Sequence, residues 1–340
     1  MISPCDVFKS GIKHCAPDTT IRRKVMKKTL IVAGITTLLG APLTASADTI
    51  GASIARFDDN WLTVMRTAMT DHAATLDGVE LQVEDATDDV GKQLNQIQNF
   101  IAAGVDSIIV NPVDTDATVA MSKAAEDAGI PLVYVNRQPV NVDELPDNQA
   151  FVASNEIESG TLSAFEVCKE LRAAGKAGGA NIVVLMGQLS NEAAVQRTKD
   201  VKDVIGMDMC NFMTIVEEQT ANWDRVEAQD LMTNWISGGV EFDAVLANND
   251  EMAIGAIQAM KAAGMDMAEV VVGGVDATSD ALAAMKAGDL DVTVFQDAAG
   301  QGAGSVDAAV ALVAGDEVEQ KVYIPFKLVT PANIDEFATN

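Results

Sequence analysis

Carboxylates, planar amides, guanidiniums and aromatic rings recur in this sequence wherever a short β-branched run ends. After the first run, 49–54, comes Arg56-Phe57-Asp58-Asp59-Asn60-Trp61, and after the fourth, 132–136, comes Asn136-Arg137-Gln138-Pro139. Later runs are followed by Asn191 through Arg197, Trp223-Asp224-Arg225, Asn248-Asn249-Asp250-Glu251, Asp276 and Gln296. Asp, Asn and Arg each offer paired acceptors or donors that match vicinal hydroxyls, while an aromatic ring covers a C–H face. Hydrogen bonds to charged groups contribute roughly 1.5–3 kcal/mol each, and a site built around hydroxyls rejects analogues that lack them. The chemistry implied is capture of a polyhydroxylated small molecule, a sugar or a cyclitol. Taken singly, Asp58, Asn191, Asn248 and Asp276 stand where helix caps are expected; it is the joint pattern, with two of three tryptophans at loop-to-helix junctions, that points to a ligand.

Other chemistries find little support. Beyond residue 47 the only histidine is His72, in the middle of an expected helix, and no Gly-x-Ser-x-Gly elbow, phosphate-binding loop or Cys-x-x-Cys pair occurs. Gly300-Gln301-Gly302-Ala303-Gly304 lacks the full dinucleotide-loop spacing and reads as a flexible helix start near a hinge. The acidic run 85–89 lacks the order of a calcium loop. No catalytic residue, cofactor or metal is therefore expected.

The elements that must position these residues alternate. Strands are expected at 49–54, 80–83, 107–111, 132–136 and 150–154, then at 181–186, 212–216, 244–247, 270–273 and 292–295, with amphipathic helices between them. This is the pattern of parallel sheets covered on both faces. It predicts an α/β chain of two doubly wound parallel-sheet lobes. A further helix at 302–314 and an extended stretch at 322–329 require several crossings between the lobes, and several crossings make a hinge. The expected division is 48–154 plus 297–324 for the N-terminal lobe and 155–296 plus 325–340 for the C-terminal lobe, with crossings near Ser154, Gln296 and Tyr323. Ligand contacts are then expected in the cleft, past the carboxyl ends of the strands.

The N-terminus reads as an export signal. Lys27 and Lys28 precede an apolar run of about 14 residues, 30–43, which contains Gly34, Gly40 and Pro42 and is too short and broken to span a bilayer. Ala45-Ser46-Ala47 follows as a small-x-small cleavage motif, so cleavage is expected after Ala47, with Met26 as the true start. The chain carries a formal net charge of −27; residues 1–47 hold seven Lys/Arg and two Asp/Glu, which leaves 16 basic and 48 acidic side chains, near −32. Such a surface repels phosphates and argues against nucleic acid as a partner. Of four cysteines, Cys168 and Cys210 remain after cleavage, either paired as a disulfide or held as two buried thiols.

At the residues quoted above the chain resembles the periplasmic sugar-binding proteins of ABC transporters in the ribose-binding group, a fold shared with the sensor domains of lactose-repressor-type regulators. The likeness spans about residues 48–330 and rests on Asn111-Pro112-Val113-Asp114, Asn136-Arg137-Gln138, Ala153-Ser154-Asn155, Ala247-Asn248-Asn249-Asp250-Glu251-Met252 and Gly274-Val275-Asp276-Ala277-Thr278. The resemblance implies ligand contacts at Asp59, Trp61, Asn136, Arg137, Arg197, Trp223, Asn249, Asp276 and Gln296. Two departures from ribose binders stand out: Leu62 where a second aromatic is usual, and Asn136-Arg137 in place of Asp-Arg. The segment Arg56-Phe57-Asp58-Asp59-Asn60-Trp61-Leu62-Thr63 is similar instead to the myo-inositol and rhizopine binders of the group. That adds Phe57 and Asp58 to the expected site and ranks a cyclitol ahead of a pentose or hexose. The implied partner is the membrane permease of an ABC importer, served by a monomer, with a chemoreceptor or kinase as an alternative listener. A regulator of the same fold would need a basic DNA-binding module where this chain has its export signal.

Overall fold

The computed structural model describes residues 47–337. Apart from Ala47, the expected export signal lies outside the described residues. The first half runs β1 (Asp48–Ile54), α1 (Asn60–Ala73), β2 (Val79–Asp85), α2 (Val90–Ala103), β3 (Ser107–Val110), α3 (Thr118–Ala128), β4 (Leu132–Val135) and β5 (Gln149–Ala153). The second half runs α4 (Glu156–Ala173), β6 (Ala180–Met186), α5 (Glu192–Ile205), β7 (Met213–Thr220), α6 (Arg225–Ser237), β8 (Ala244–Ala247), α7 (Asp250–Ala262), β9 (Val271–Gly273), α8 (Ser279–Ala287) and β10 (Thr293–Phe295). The chain closes with α9 (Ala298–Ala314), β11 (Lys321–Tyr323) and β12 (Lys327–Val329).

Two parallel sheets result, in the orders β11-β5-β4-β3-β1-β2 and β7-β6-β8-β9. The inner strands β3, β4 and β8 are buried along their whole length, as continuous apolar runs covered on both faces must be. Separate apolar clusters fill the two faces of each sheet, with Ile50, Met65 and Met69 in one and Met232, Met252 and Met260 in another. The antiparallel pair β10-β12 lies beside the second sheet, joined to it by single bridges at Gly273–Val292 and Asp276–Phe295.

The chain passes between the sheets three times: from β5 into α4, which packs on α5 and β9; from β10 into α9, which packs on α1 and on β3 to β5; and from β11 into β12. The last extended stretch is two short strands rather than one, because Pro325 lies between them and cannot donate to a ladder. Gly302 is not a flexible helix start. It lies buried inside α9, where an added Cβ would sit 2.3 Å from the Met65 carbonyl oxygen, so the glycine lets α9 close on α1. In the second half Cys168 of α4 and Cys210 are joined as a disulfide, with Cα atoms 5.7 Å apart. No helix among the described residues is long and apolar enough to cross a membrane.

Candidate functional site

The loops at the carboxyl ends of both sheets face each other across a small cavity of about 40 Å³. Its walls bring together nine of the expected residues: Asp59, Trp61, Asn136, Arg137, Arg197, Trp223, Asn249, Asp276 and Gln296. On the first-sheet side each residue has at least one partner. Asp59 caps α1, accepting from the Leu62 N–H at 2.8 Å, and its other oxygen accepts from Arg56 Nη2 at 3.2 Å. The Trp61 indole N–H donates to the Gln296 carbonyl at 3.1 Å. Asn136, in the left-handed region at φ 67°, accepts from Asn111 Nδ2 at 3.3 Å. Arg137 is buried and donates from Nη1 to the Pro112 carbonyl at 2.9 Å. Burial pulls its pKa down to about 10, which nearby Asp88 and Asp59 only partly offset.

The second-sheet side differs. Arg197, 4% exposed, projects from α5 and is gripped by Glu156, with Nε to Oε2 at 2.7 Å and Nη2 to Oε1 at 3.0 Å. It also donates to the Asn248 carbonyl at 2.7 Å and to Gln296 Oε1 at 3.3 Å. Its Nη1 stands 4.0 Å from Asp276 Oδ1, too far for a direct hydrogen bond. Burial opposes the Arg197 charge, but Glu156, with Asp276 and Asp250, outweighs it and the pKa is raised above the ordinary value. Burial likewise pushes the Asp276 carboxyl well above the usual range, and Arg197 only partly counters this. Two buried donors, Trp223 Nε1 and Gln296 Nε2, have no hydrogen-bond partner among the described residues.

Backbone strain gathers here too. Asn222 and Trp223 have φ of 53° and 65°, and Asp276 and Ala277 of 124° and 53°, in a region that non-glycine residues visit at a cost. Trp223 is held there because its ring lies against Gly187, where a Cβ would be 2.1 Å from the ring, while Asn249 Nδ2 donates to its carbonyl at 3.4 Å. The Asp276 turn is braced by buried Asp250, which accepts from Thr293 Oγ1 at 2.7 Å and the Thr278 N–H at 2.9 Å.

Phe57 and Asp58 lie outside the cavity. Because Asp59 is the cap that turns the chain into α1, the two preceding residues face away: Phe57 packs beneath the Arg66 guanidinium, 3.8 Å from its ring centroid, and Asp58 is 89% exposed. Both border a separate recess with Arg56, Asp85, Thr87 and Asp88. The other cap positions also shift: Asn191 is a cap as expected, but Asn249 and Thr278 perform that role instead of Asn248 and Asp276. Leu62, Asn191 and Ala193 also line the cavity, though none is among the expected ligand contacts. Asn191 carried a signal as a polar residue opening a helix; Ala193 carried none.

Residues 50–317 match the periplasmic binding protein domain. The chain belongs to the periplasmic binding protein family. Among its curated relatives is a protein of Rhizobium meliloti named "Putative rhizopine-binding protein", 64% identical over 92% of this chain and 99% of its own length. A solute-binding protein of an ABC transporter from Bacillus halodurans, solved with bound myo-inositol, superposes with a TM-score of 0.80 at 45% identity, covering 86% of this chain and 98% of its own. The Caulobacter myo-inositol binding protein, also solved with myo-inositol, gives a TM-score of 0.75 at 28% identity over 86% and 96% of the two chains. The two sheets are thus those of the type I periplasmic binding fold. Membership also makes this an exported periplasmic solute-binding protein of the sugar-binding class, a transport component and not an enzyme.

Proposed function

We propose that this protein captures a cyclitol, with myo-inositol or a close relative as the preferred ligand, and hands it to the permease of an ABC importer. The observation that carries this reading is the second-sheet wall of the cavity. There two donors without partners, Trp223 Nε1 and Gln296 Nε2, sit beside an Arg197–Asp276 pair held 4.0 Å apart. A ligand hydroxyl between that pair can accept from the arginine and donate to the aspartate. A ring with a hydroxyl on every carbon meets the remaining donors on adjacent edges, and Trp61 and Trp223 supply apolar wall. The myo-inositol bound by two structural relatives supports the same choice, and the rhizopine relative supports a cyclitol over a pentose or hexose.

The contacts we assign are Asp59, Trp61, Asn136, Arg137, Arg197, Trp223, Asn249, Asp276 and Gln296. We assign residues 48–154 plus 297–324 to one lobe and 155–296 plus 325–340 to the other, hinged at the three crossings. Closure is supported by hydrogen bonds across the cleft mouth, Asn60 Nδ2 to Glu251 Oε1 at 2.9 Å and Thr115 N–H to the Ser190 carbonyl at 3.0 Å. A ligand that binds only the closed arrangement shifts the population toward it, and the permease reads that state. The protein acts as a monomer, with its signal removed after Ala47, and a chemoreceptor can read the same closed face.

A thermal-shift screen of the processed protein against myo-inositol, its stereoisomers, ribose, galactose and glucose tests this. Stabilisation that grows with the logarithm of myo-inositol concentration, and exceeds that of every sugar, is expected. Stabilisation by none of them refutes the reading, and a larger effect from ribose or galactose moves the assignment to a monosaccharide.

A further inference from the structure

Glu156 is outside the set of ligand contacts, yet it organises two of them. It is the first residue of α4, directly after the first crossing, and is 5% exposed. Its carboxylate takes two of the five N–H donors of Arg197 and also accepts from Ser159 Oγ at 2.9 Å. The Asn248 carbonyl and Gln296 Oε1 take two more. One Nη1 hydrogen of Arg197 is left on the Asp276 side. Because an arginine can only donate, Gln296 must turn Oε1 toward it and present Nε2 elsewhere; that Nε2 is buried and without a partner. Gln296 stands at the second crossing, between β10 and α9.

We infer that Glu156 is the positioning residue of this site: by fixing the plane of Arg197 it selects the one N–H offered to a ligand hydroxyl, sets the Gln296 amide as a donor, and ties two hinge crossings to the bound ligand. This rests on the cyclitol reading above. It is distinct from a purely structural ion pair in one respect. Loss of Glu156 removes the discrimination made through Arg197 and Gln296, and does not weaken all ligands alike.

The test is calorimetry of the processed protein, Glu156→Gln and Glu156→Asp with myo-inositol and its monodeoxy analogues, with thermal unfolding in parallel. Wild type should penalise most strongly the analogue that lacks the hydroxyl between Arg197 and Asp276. In Glu156→Gln myo-inositol should bind roughly 30-fold or more weakly, and that analogue should lose much less, so that the two affinities converge as they do in a double-mutant cycle. Glu156→Asp keeps the charge beside Arg197 and remains measurable should the glutamine variant fail to fold; it should show a smaller loss with the same convergence. Unchanged affinity, or an equal loss for every analogue, overturns the positioning role while leaving the cyclitol reading intact. Failure of the wild type to bind any of these ligands overturns the functional reading, and the positioning role with it.

Discussion

The two walls of the cavity are built to different plans. On the first-sheet side Asp59 caps a helix, Trp61 bonds the chain at a crossing and Arg137 is anchored through Nη1 on a carbonyl, so each group has at least one partner. On the second-sheet side Trp223 and Gln296 keep buried donors without a partner among the described residues, and Arg197 and Asp276 stop short of each other. Groups that already have partners make a preformed surface; buried donors without partners cost stability unless something else meets them. Ligand selection should therefore be concentrated on the second wall and shape on the first.

The largest effects should break this contrast from the selective side. Trp223→Ala and Asp276→Ala should each weaken myo-inositol binding by about 100-fold or more, since on this reading the first removes a buried donor with its apolar face and the second a charged acceptor. Asn136→Ala on the first wall should cost roughly tenfold, and calorimetry measures all three. Equal losses on both walls would erase the distinction. A finer comparison uses the two indoles: Trp223→Phe removes a buried N–H without a partner among the described residues and should cost about tenfold, while Trp61→Phe removes one already bonded to Gln296 and should cost only a few-fold.

The smallest effect concerns pH. Buried Asp200, Asp250 and Asp276 and half-buried Asp291, all in the second half, are carboxyls pushed upward, and Asp200 reaches about 7. A raised native pKa means that the folded state binds the proton more tightly. The penalty is complete above about pH 7 and is relieved as pH falls toward the ordinary carboxylate range. The melting temperature should thus rise between about pH 8 and pH 5.5, by roughly 2–4 °C per kcal/mol recovered. Asp200→Asn should flatten that rise, as calorimetric scanning across the range would show.

Much of this was legible in the sequence because period and punctuation agree: the strand expected at 244–247 is β8 to the residue, and α2 and α8 are each opened by a capping side chain and closed by a left-handed glycine. Legibility ended where tertiary contact overrides local preference. Trp223 reads as the start of a helix, but the helix begins at Arg225 because the ring is drawn onto Gly187 and twists its own backbone to reach it. Phe57 and Asp58 differ from Asp59 only by which residue the cap selects, a choice made by the chain's turn into α1. The 300–304 glycines suggested mobility when alone; among them Gly302 is close packing against Met65. Glu156 gave no warning because a glutamate in a first helical turn is ordinary, and only the fold brings it 41 residues along the chain to Arg197.

A crystal structure of the processed protein grown with myo-inositol tests the central claim most directly. The account predicts a ring in the cavity with one hydroxyl between Arg197 Nη1 and Asp276 Oδ1, and with oxygen atoms accepting from Trp223 Nε1 and Gln296 Nε2. A ring seated instead in the recess of Arg56, Phe57 and Asp58, or one that leaves those two donors unmet, would contradict it.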